Sequence, residues 1–295
     1  MPGSYLHRCL ALFAETMESR HGWRPDYAGL ERALEPVRLR RRDLTGADLE
    51  TIQNGRYWDF KQFWRFPDAG DLGREIDLAE MSRLIGRLPL DEERAITRLH
   101  AAFKYIENVS VLLRFLHPGN YGIISPPVEK VLEVRRGRTE VETYLNYLRD
   151  LRDVRDHHGL ARAADADMAL WVLQERVLSS YRDHDLLREF RDDSWLLRRR
   201  AVNLMAELGE LSDAGDHLDL ARALADVDVD LAAILATHEL ERRLRAWSRG
   251  APAEREGMAG RVAAIRERLL EPGGRVTRAE VFDLIEEAGR LPAAP

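Results

Sequence analysis

The sequence predicts an all-α protein, and three observations carry that expectation. Glycine and proline fall between segments of helical apolar period, not inside them. No long alternating run of β-branched residues competes with those segments. Capping residues open helices: Thr45 precedes Asp48 in capping-box spacing, as Thr277 precedes Glu280. Turn-forming clusters close them, at His117-Pro118-Gly119-Asn120, Pro126-Pro127, Gly159 and Glu271-Pro272-Gly273-Gly274. The clearest strand-like stretch, residues 121–125, is too short to build a sheet.

A chain of 295 residues corresponds to about two domains. At 45% hydrophobic and 33% charged it is neither disordered nor membrane-like. No apolar run approaches the roughly 18–20 residues of a membrane helix. The apolar stretch at 10–14 is cut off by Glu15, so no signal peptide is expected and the protein reads as soluble and cytoplasmic, without a membrane partner. Cys9 is the single cysteine, which excludes internal disulfides and multi-cysteine metal sites. His157-His158 beside Asp153 and Asp156 suggests a metal, but adjacent helical residues point about 100° apart. Neither a His-Glu-x-x-His, a Gly-x-x-x-x-Gly-Lys nor a Gly-x-Ser-x-Gly pattern occurs. No metal and no cofactor are expected.

Charge says more by its distribution than by its total. There are 45 Lys+Arg against 51 Asp+Glu, net −6, which argues against DNA binding by bulk charge. Only Lys61, Lys104 and Lys130 are lysines, the mark of a GC-rich bacterial genome. The triplets Arg40-Arg41-Arg42 and Arg198-Arg199-Arg200 are discounted on that ground. Residues 94–138 stand apart: eight cations against Glu107, Glu129 and Glu133 give a local excess of +5.

The elements follow in order. Residues 57–66 interleave aromatics with cations, as base-stacking surfaces do, although a buried helix is the preferred reading. Residues 94–103 form an amphipathic helix, 104–108 a short connection and 109–116 a second helix. Another helix spans 140–152, and Asp167-Met168-Ala169-Leu170-Trp171 lies in the next. Val134-Arg135-Arg136-Gly137-Arg138-Thr139 is a short basic loop feeding a helix, suited to clamping phosphate. Asp165 and Asp167 lie two apart and so on different helix faces, while Glu129, Glu133, Glu140 and Glu142 read as helix-face carboxylates that could include a general base. Around Ser179-Ser180-Tyr181-Arg182-Asp183 the composition turns acidic. This divides a helical domain at 1–180 from a second module at 181–295.

The order of these motifs resembles the helix-hairpin-helix core of base-excision DNA glycosylases over roughly residues 45–175. Phe115-Leu116-His117-Pro118 resembles the family's Phe-Leu-x-Pro stop, and Tyr121-Gly122-Ile123-Ile124 its Tyr/Phe-Pro-Ile segment. The stretch 167–171 resembles its closing helix, and 49–61 its entry helix. The resemblance implies DNA binding through backbone amides and a helix N-terminus aimed at phosphate. Together with the basic loop it gives Lys104, Asn108, Ser110, Arg114, Arg135, Arg136 and Arg138 as nucleic-acid contacts. Phe103 and Tyr105 stand where the family's hairpin has glycines, Glu107 where its lysine nucleophile stands, and Ser125 where its aspartate stands. Neither Glu107 nor Ser125 can form a Schiff base or stabilise an oxocarbenium ion in the missing partner's place. Lys104 is the one substitute amine nearby and reads as a solvated or phosphate-facing lysine.

In the second module, Leu186, Phe190, Asp192 and Trp195 recur 34 residues later as Leu220, Leu224, Asp226 and Val229. The first copy, with Asp192, Leu197-Arg198 and Ala201, resembles a HEAT repeat; an ordinary helical bundle is the alternative. The expected function is a bacterial DNA-binding protein related to base-excision glycosylases, without the usual catalytic residues, in a repair or phage-defence setting. Whether it is an enzyme stays open. One alternative is a protein-interaction scaffold docking a partner on the HEAT-like module. The other is a glycosylase with a rebuilt site.

Overall fold

The computed structural model describes residues 4–54, 77–180, 183–207, 217–247, 252–270 and 275–291, and every regular element among them is helical. The aromatic stretch at 57–66, Lys61, Tyr181, Arg182 and the stop at 271–274 lie outside the described residues. No helix among the described residues is long and apolar enough to cross a membrane. The chain divides into two compact units, Met1–Arg176 and Val177–Pro295.

The first unit opens with α1 (Tyr5–Ala11), α2 (Phe13–His21), α3 (Tyr27–Ala33), α4 (Glu35–Arg38) and α5 (Gly46–Asn54). Then come α6 (Leu78–Ile85), α7 (Glu92–Phe103), α8 (Ile106–Leu116), α9 (Pro126–Leu132), α10 (Glu140–His158) and α11 (Ala163–Val172). A π-helical turn, Leu173–Leu178, continues α11. Two helices make the centre. All of α11 is buried, and so is all of α8 except Glu107, so neither presents a polar face to water. α11 packs on α1, α2, α9 and α10, while α8 packs on α3, α4, α7 and α10.

The segment between α8 and α9 is extended, as the length of residues 121–125 implies, and is pinned along its course. Pro118 and Gly119 carbonyls accept from the Ala164 and Ala163 N–H groups at 3.0 and 3.1 Å, satisfying donors that a helix start leaves orphaned. Tyr144 donates its hydroxyl to Gly122 O at 3.1 Å. A Cβ on Gly122 would collide with Leu151 and Asp167, so only glycine fits there.

The second unit holds α12 (His184–Asp192), α13 (Ser194–Glu207), α14 (His217–Leu224), α15 (Val229–Ala246), α16 (Pro252–Leu270) and α17 (Arg278–Arg290). α15 is its central helix, packed on α13, α14, α16 and α17. α12/α13 and α14/α15 each read helix, aspartate-bearing turn, helix. The aspartates that cap are not the pair the 34-residue echo aligns. Asp193 accepts from Leu196 N–H at 3.0 Å and Asp228 from Leu231 N–H at 2.9 Å. Asp192 and Asp226 instead pair with Arg266 of α16 and Arg278 of α17. The turn after α14 is longer than the single Asp193 after α12, which shifts the register between the copies.

The α7–α8 connection is two residues, Lys104 and Tyr105, and contains no glycine. Tyr105 N–H donates to Phe103 O at 2.9 Å across Lys104, whose φ is +69° and ψ −34°. That is close to a γ-turn of the strained kind. Phe103 and Tyr105 therefore need no glycine-like conformation; the strain falls on the residue between them. Lys104→Gly should stabilise the protein by about 1 kcal/mol in urea unfolding. Phe103→Ala, which empties a fully buried ring site, should cost about 3–5 kcal/mol. A destabilised Lys104→Gly protein would contradict this account of the turn.

Candidate nucleic-acid interface

The hairpin tip projects two adjacent side chains. Lys104 is exposed and has no ion partner among the described residues, and Tyr105 is 51% exposed, one of the few large apolar side chains on the surface. α8 starts immediately behind them, so the tip stands at the N-terminal, partially positive end of a buried helix.

The basic loop is folded by its own neighbours. Thr139 caps α10 by accepting from Glu142 N–H at 3.1 Å. Glu142 in turn accepts from Arg138 N–H at 2.7 Å, and Thr143 Oγ1 accepts from Gly137 N–H at 2.9 Å. Asn146 donates to Arg135 O at 3.0 Å. The Gly137 and Arg138 amides are thus spent inward, and the side chains of Arg135, Arg136 and Arg138 are all exposed.

One link ties the exit of this loop to the hairpin, and a second ties the loop to α9. His100, one turn before the end of α7, meets Glu140 at 2.8 Å, at the loop's exit. Arg136 donates to Glu129 at 2.6 Å, and Glu129 feels the charge of Glu107 in the first turn of α8. Burial raises the Glu129 carboxyl above its ordinary range, opposed by Arg136 and reinforced by Glu107. Of the cations at 94–138, Arg94, Lys104, Lys130, Arg135 and Arg138 are exposed and without an ion pair among the described residues.

Three of the seven residues assigned from sequence are elsewhere. Asn108, Ser110 and Arg114 are fully buried and so cannot meet a phosphate on the surface. Each braces the interior instead. Asn108 donates to Phe103 O at 3.3 Å, closing the hairpin from inside. Ser110 Oγ accepts from Ile124 N–H at 3.3 Å, fastening the extended segment. Arg114 pairs with Glu31 at 2.6 Å and lies over the rings of Phe115 and Tyr27. Of the seven, Lys104, Arg135, Arg136 and Arg138 are exposed and remain as candidates. The structure adds Tyr105, which in the sequence stands out only as a departure from glycine. Its signal is an aromatic side chain in a two-residue interhelical turn.

The positions that the sequence resemblance matches to catalytic residues lie as follows. Ser125 is buried at the N-cap of α9, and Glu107 is partly exposed at the start of α8. Lys104 stands on the open tip, where nothing desolvates its ammonium as an amine nucleophile requires. Compared with known proteins, the chain matches no family model, no curated protein and no solved structure.

Behind the hairpin, Asp167 of α11 accepts from Ile123 N–H at 3.0 Å and lies 3.0 Å from the Tyr147 hydroxyl. Burial pushes its carboxyl up to about 6, against the pull of the Ile123 amide, Arg114 and Tyr147. An unfolded aspartate titrates near 3.9. The folded chain therefore binds this proton more tightly, so the group's stabilising effect is complete below about pH 4 and is lost as pH rises to about 6. Asp167→Asn should remove about 2–3 kcal/mol of that fall in chemical unfolding between pH 4 and 6.5. An unaltered pH slope would contradict the assignment.

Proposed function

We propose that this protein binds DNA through the α7–α8 hairpin and the basic loop that follows α9, as a helix-hairpin-helix protein lacking the usual glycosylase/lyase groups. The observation that carries the reading is the strained tip. A conformation costing about 1–3 kcal/mol is kept where Lys104 and Tyr105 face solvent, beside a loop with three exposed arginines. Lys104 and the start of α8 meet one phosphate, and Tyr105 offers a ring on which an unstacked base can rest. Arg135 and Arg138 reach the adjacent backbone, while Arg136 is shared with Glu129. In this reading the second unit is a HEAT-like stack whose outer surface serves a protein partner, supported by its two aspartate-turned helix pairs.

A salt titration of duplex and single-stranded DNA binding, read by fluorescence anisotropy, tests this. Replacing Arg135, Arg136 and Arg138 with alanine should weaken binding to all sequences alike. The slope of log K against log[salt] should shrink by up to about 0.9 for each phosphate no longer neutralised. The same change at Arg198, Arg199 and Arg200 should leave binding unaltered. Equal losses from both triples would mean diffuse attraction, and absence of binding at low salt would favour the scaffold alternative.

A further inference from the structure

A second feature of the first unit lies at the other end of α8. α8 spans Ile106–Leu116, which at 1.5 Å per residue sets its far end about 16 Å from the hairpin tip. There the α4–α5 connection and the C-terminal end of α6 enclose a surface concavity of about 310 Å³. Five arginines line it, Arg38, Arg40, Arg42, Arg83 and Arg87, against one carboxylate, Asp43.

The five are not equally engaged. Arg42 is held by a two-pronged pair with Asp48, both N–O distances being 2.5 Å, and Arg38 meets Glu35 at 3.1 Å. Arg83 donates its Nε to Ala79 O at 3.3 Å, the ordinary complement to a helix C-terminus. Arg40, Arg83 and Arg87 form no ion pair among the described residues. A helix end carries roughly half a negative charge, too little to balance three guanidiniums.

Arg40 is also placed at a conformational cost. Its φ is +56°, a conformation disfavoured for any side-chain-bearing residue. Its guanidinium lies against Gly86, where a Cβ would stand 3.3 Å from Arg40 Nε and 3.6 Å from Cζ. A left-handed residue on one wall and a glycine on the other thus bring this guanidinium over the concavity. The triplet Arg40-Arg41-Arg42, discounted as base composition, contributes two of the lining cations.

We propose that this concavity binds a compact phosphate dianion, a phosphomonoester or pyrophosphate group. Three unpaired guanidiniums are balanced poorly by a single carboxylate and better by a group carrying two charges. The planar fork of arginine also matches phosphate oxygens in bidentate fashion. The volume sits at the small end of the roughly 300–1,000 Å³ of ligand pockets, which suits a phosphate with its attached sugar. Two sources carry that chemistry: a free nucleotide, and the phosphorylated 5′ end of a nucleic-acid strand. The site does not rest on the DNA-binding reading of the hairpin.

Isothermal titration of the full chain at low salt tests the proposal with four probes: pyrophosphate, a nucleoside diphosphate, and a short single strand with a 5′-phosphate or a 5′-hydroxyl. Saturable one-to-one binding of pyrophosphate and of the nucleoside diphosphate is expected. The combined Arg40→Gly and Arg87→Ala variant should weaken it at least tenfold. Glycine relieves the backbone at 40 and Arg87 is exposed, so the variant should melt no lower than the parent. The alanine triple at Arg135, Arg136 and Arg138 should bind the small probes unchanged. A tighter nucleoside diphosphate identifies the free nucleotide as the source; a preference for the 5′-phosphate strand over its hydroxyl twin identifies the strand end. Binding that is unsaturable, absent, or indifferent to the Arg40/Arg87 change would overturn the proposal. Read with pyrophosphate and the nucleoside diphosphate, none of those outcomes bears on the hairpin.

Discussion

The first unit is organised around a guanidinium with no access to water. Arg114 sits in the middle of α8 and meets Glu31 of α3; the other oxygen of Glu31 meets Arg162 at 2.7 Å, and Arg162 reaches Asp165 of α11 at 2.6 Å. Two cations and two anions form a neutral chain joining three helices. Ions removed from water cost several kcal/mol each, so the chain adds little net stability over an apolar packing. Its effect is on orientation: losing one partner costs about 3–5 kcal/mol, and α8 is therefore fixed in rotation. With α8 fixed, its polar exception Glu107 and the tip residues Lys104 and Tyr105 are the ones left outward.

Much of this fold was legible in the sequence. The first hairpin helix showed its amphipathic period, Gly159 closes α10 with φ +66°, and Thr277 forms a full capping box with Glu280. What was not legible depended on partners far away in sequence. Arg114 counts as a surface cation until Glu31, 83 residues earlier, is folded beside it. The signal against that reading was its place within Val111-Leu112-Leu113-Arg114-Phe115-Leu116, a run too apolar for an exposed helix face. Asn108 and Ser110 bond to backbone groups that no spacing rule brings near them. The echo aligns Asp192, the last residue of α12, with Asp226 in the turn after α14, and the caps fall on Asp193 and Asp228 because a longer turn shifts the register.

The same pairing logic separates net charge from usable charge. Most arginines here are neutralised locally, as Arg152 is by Glu92 and Arg243 by Glu239. A net of −6 then says little about any one surface, since exposed charges are screened over about 8–10 Å. What matters is where cations remain without ionic partners, and among the described residues one such cluster stands at each end of α8. One follows the hairpin, where Lys104, Arg135 and Arg138 are solvated. The other is the concavity holding Arg40, Arg83 and Arg87. Both combine unpaired cations with a residue strained to φ above +50°.

The central functional claim, that hairpin and basic loop form one DNA-binding face, is tested most directly by amide hydrogen exchange with and without saturating duplex DNA at low salt. The account predicts slowed exchange at 104–108 and at 134–139 together, with residues 184–246 unchanged. Protection confined to the second unit, or at the loop without the hairpin, would contradict it.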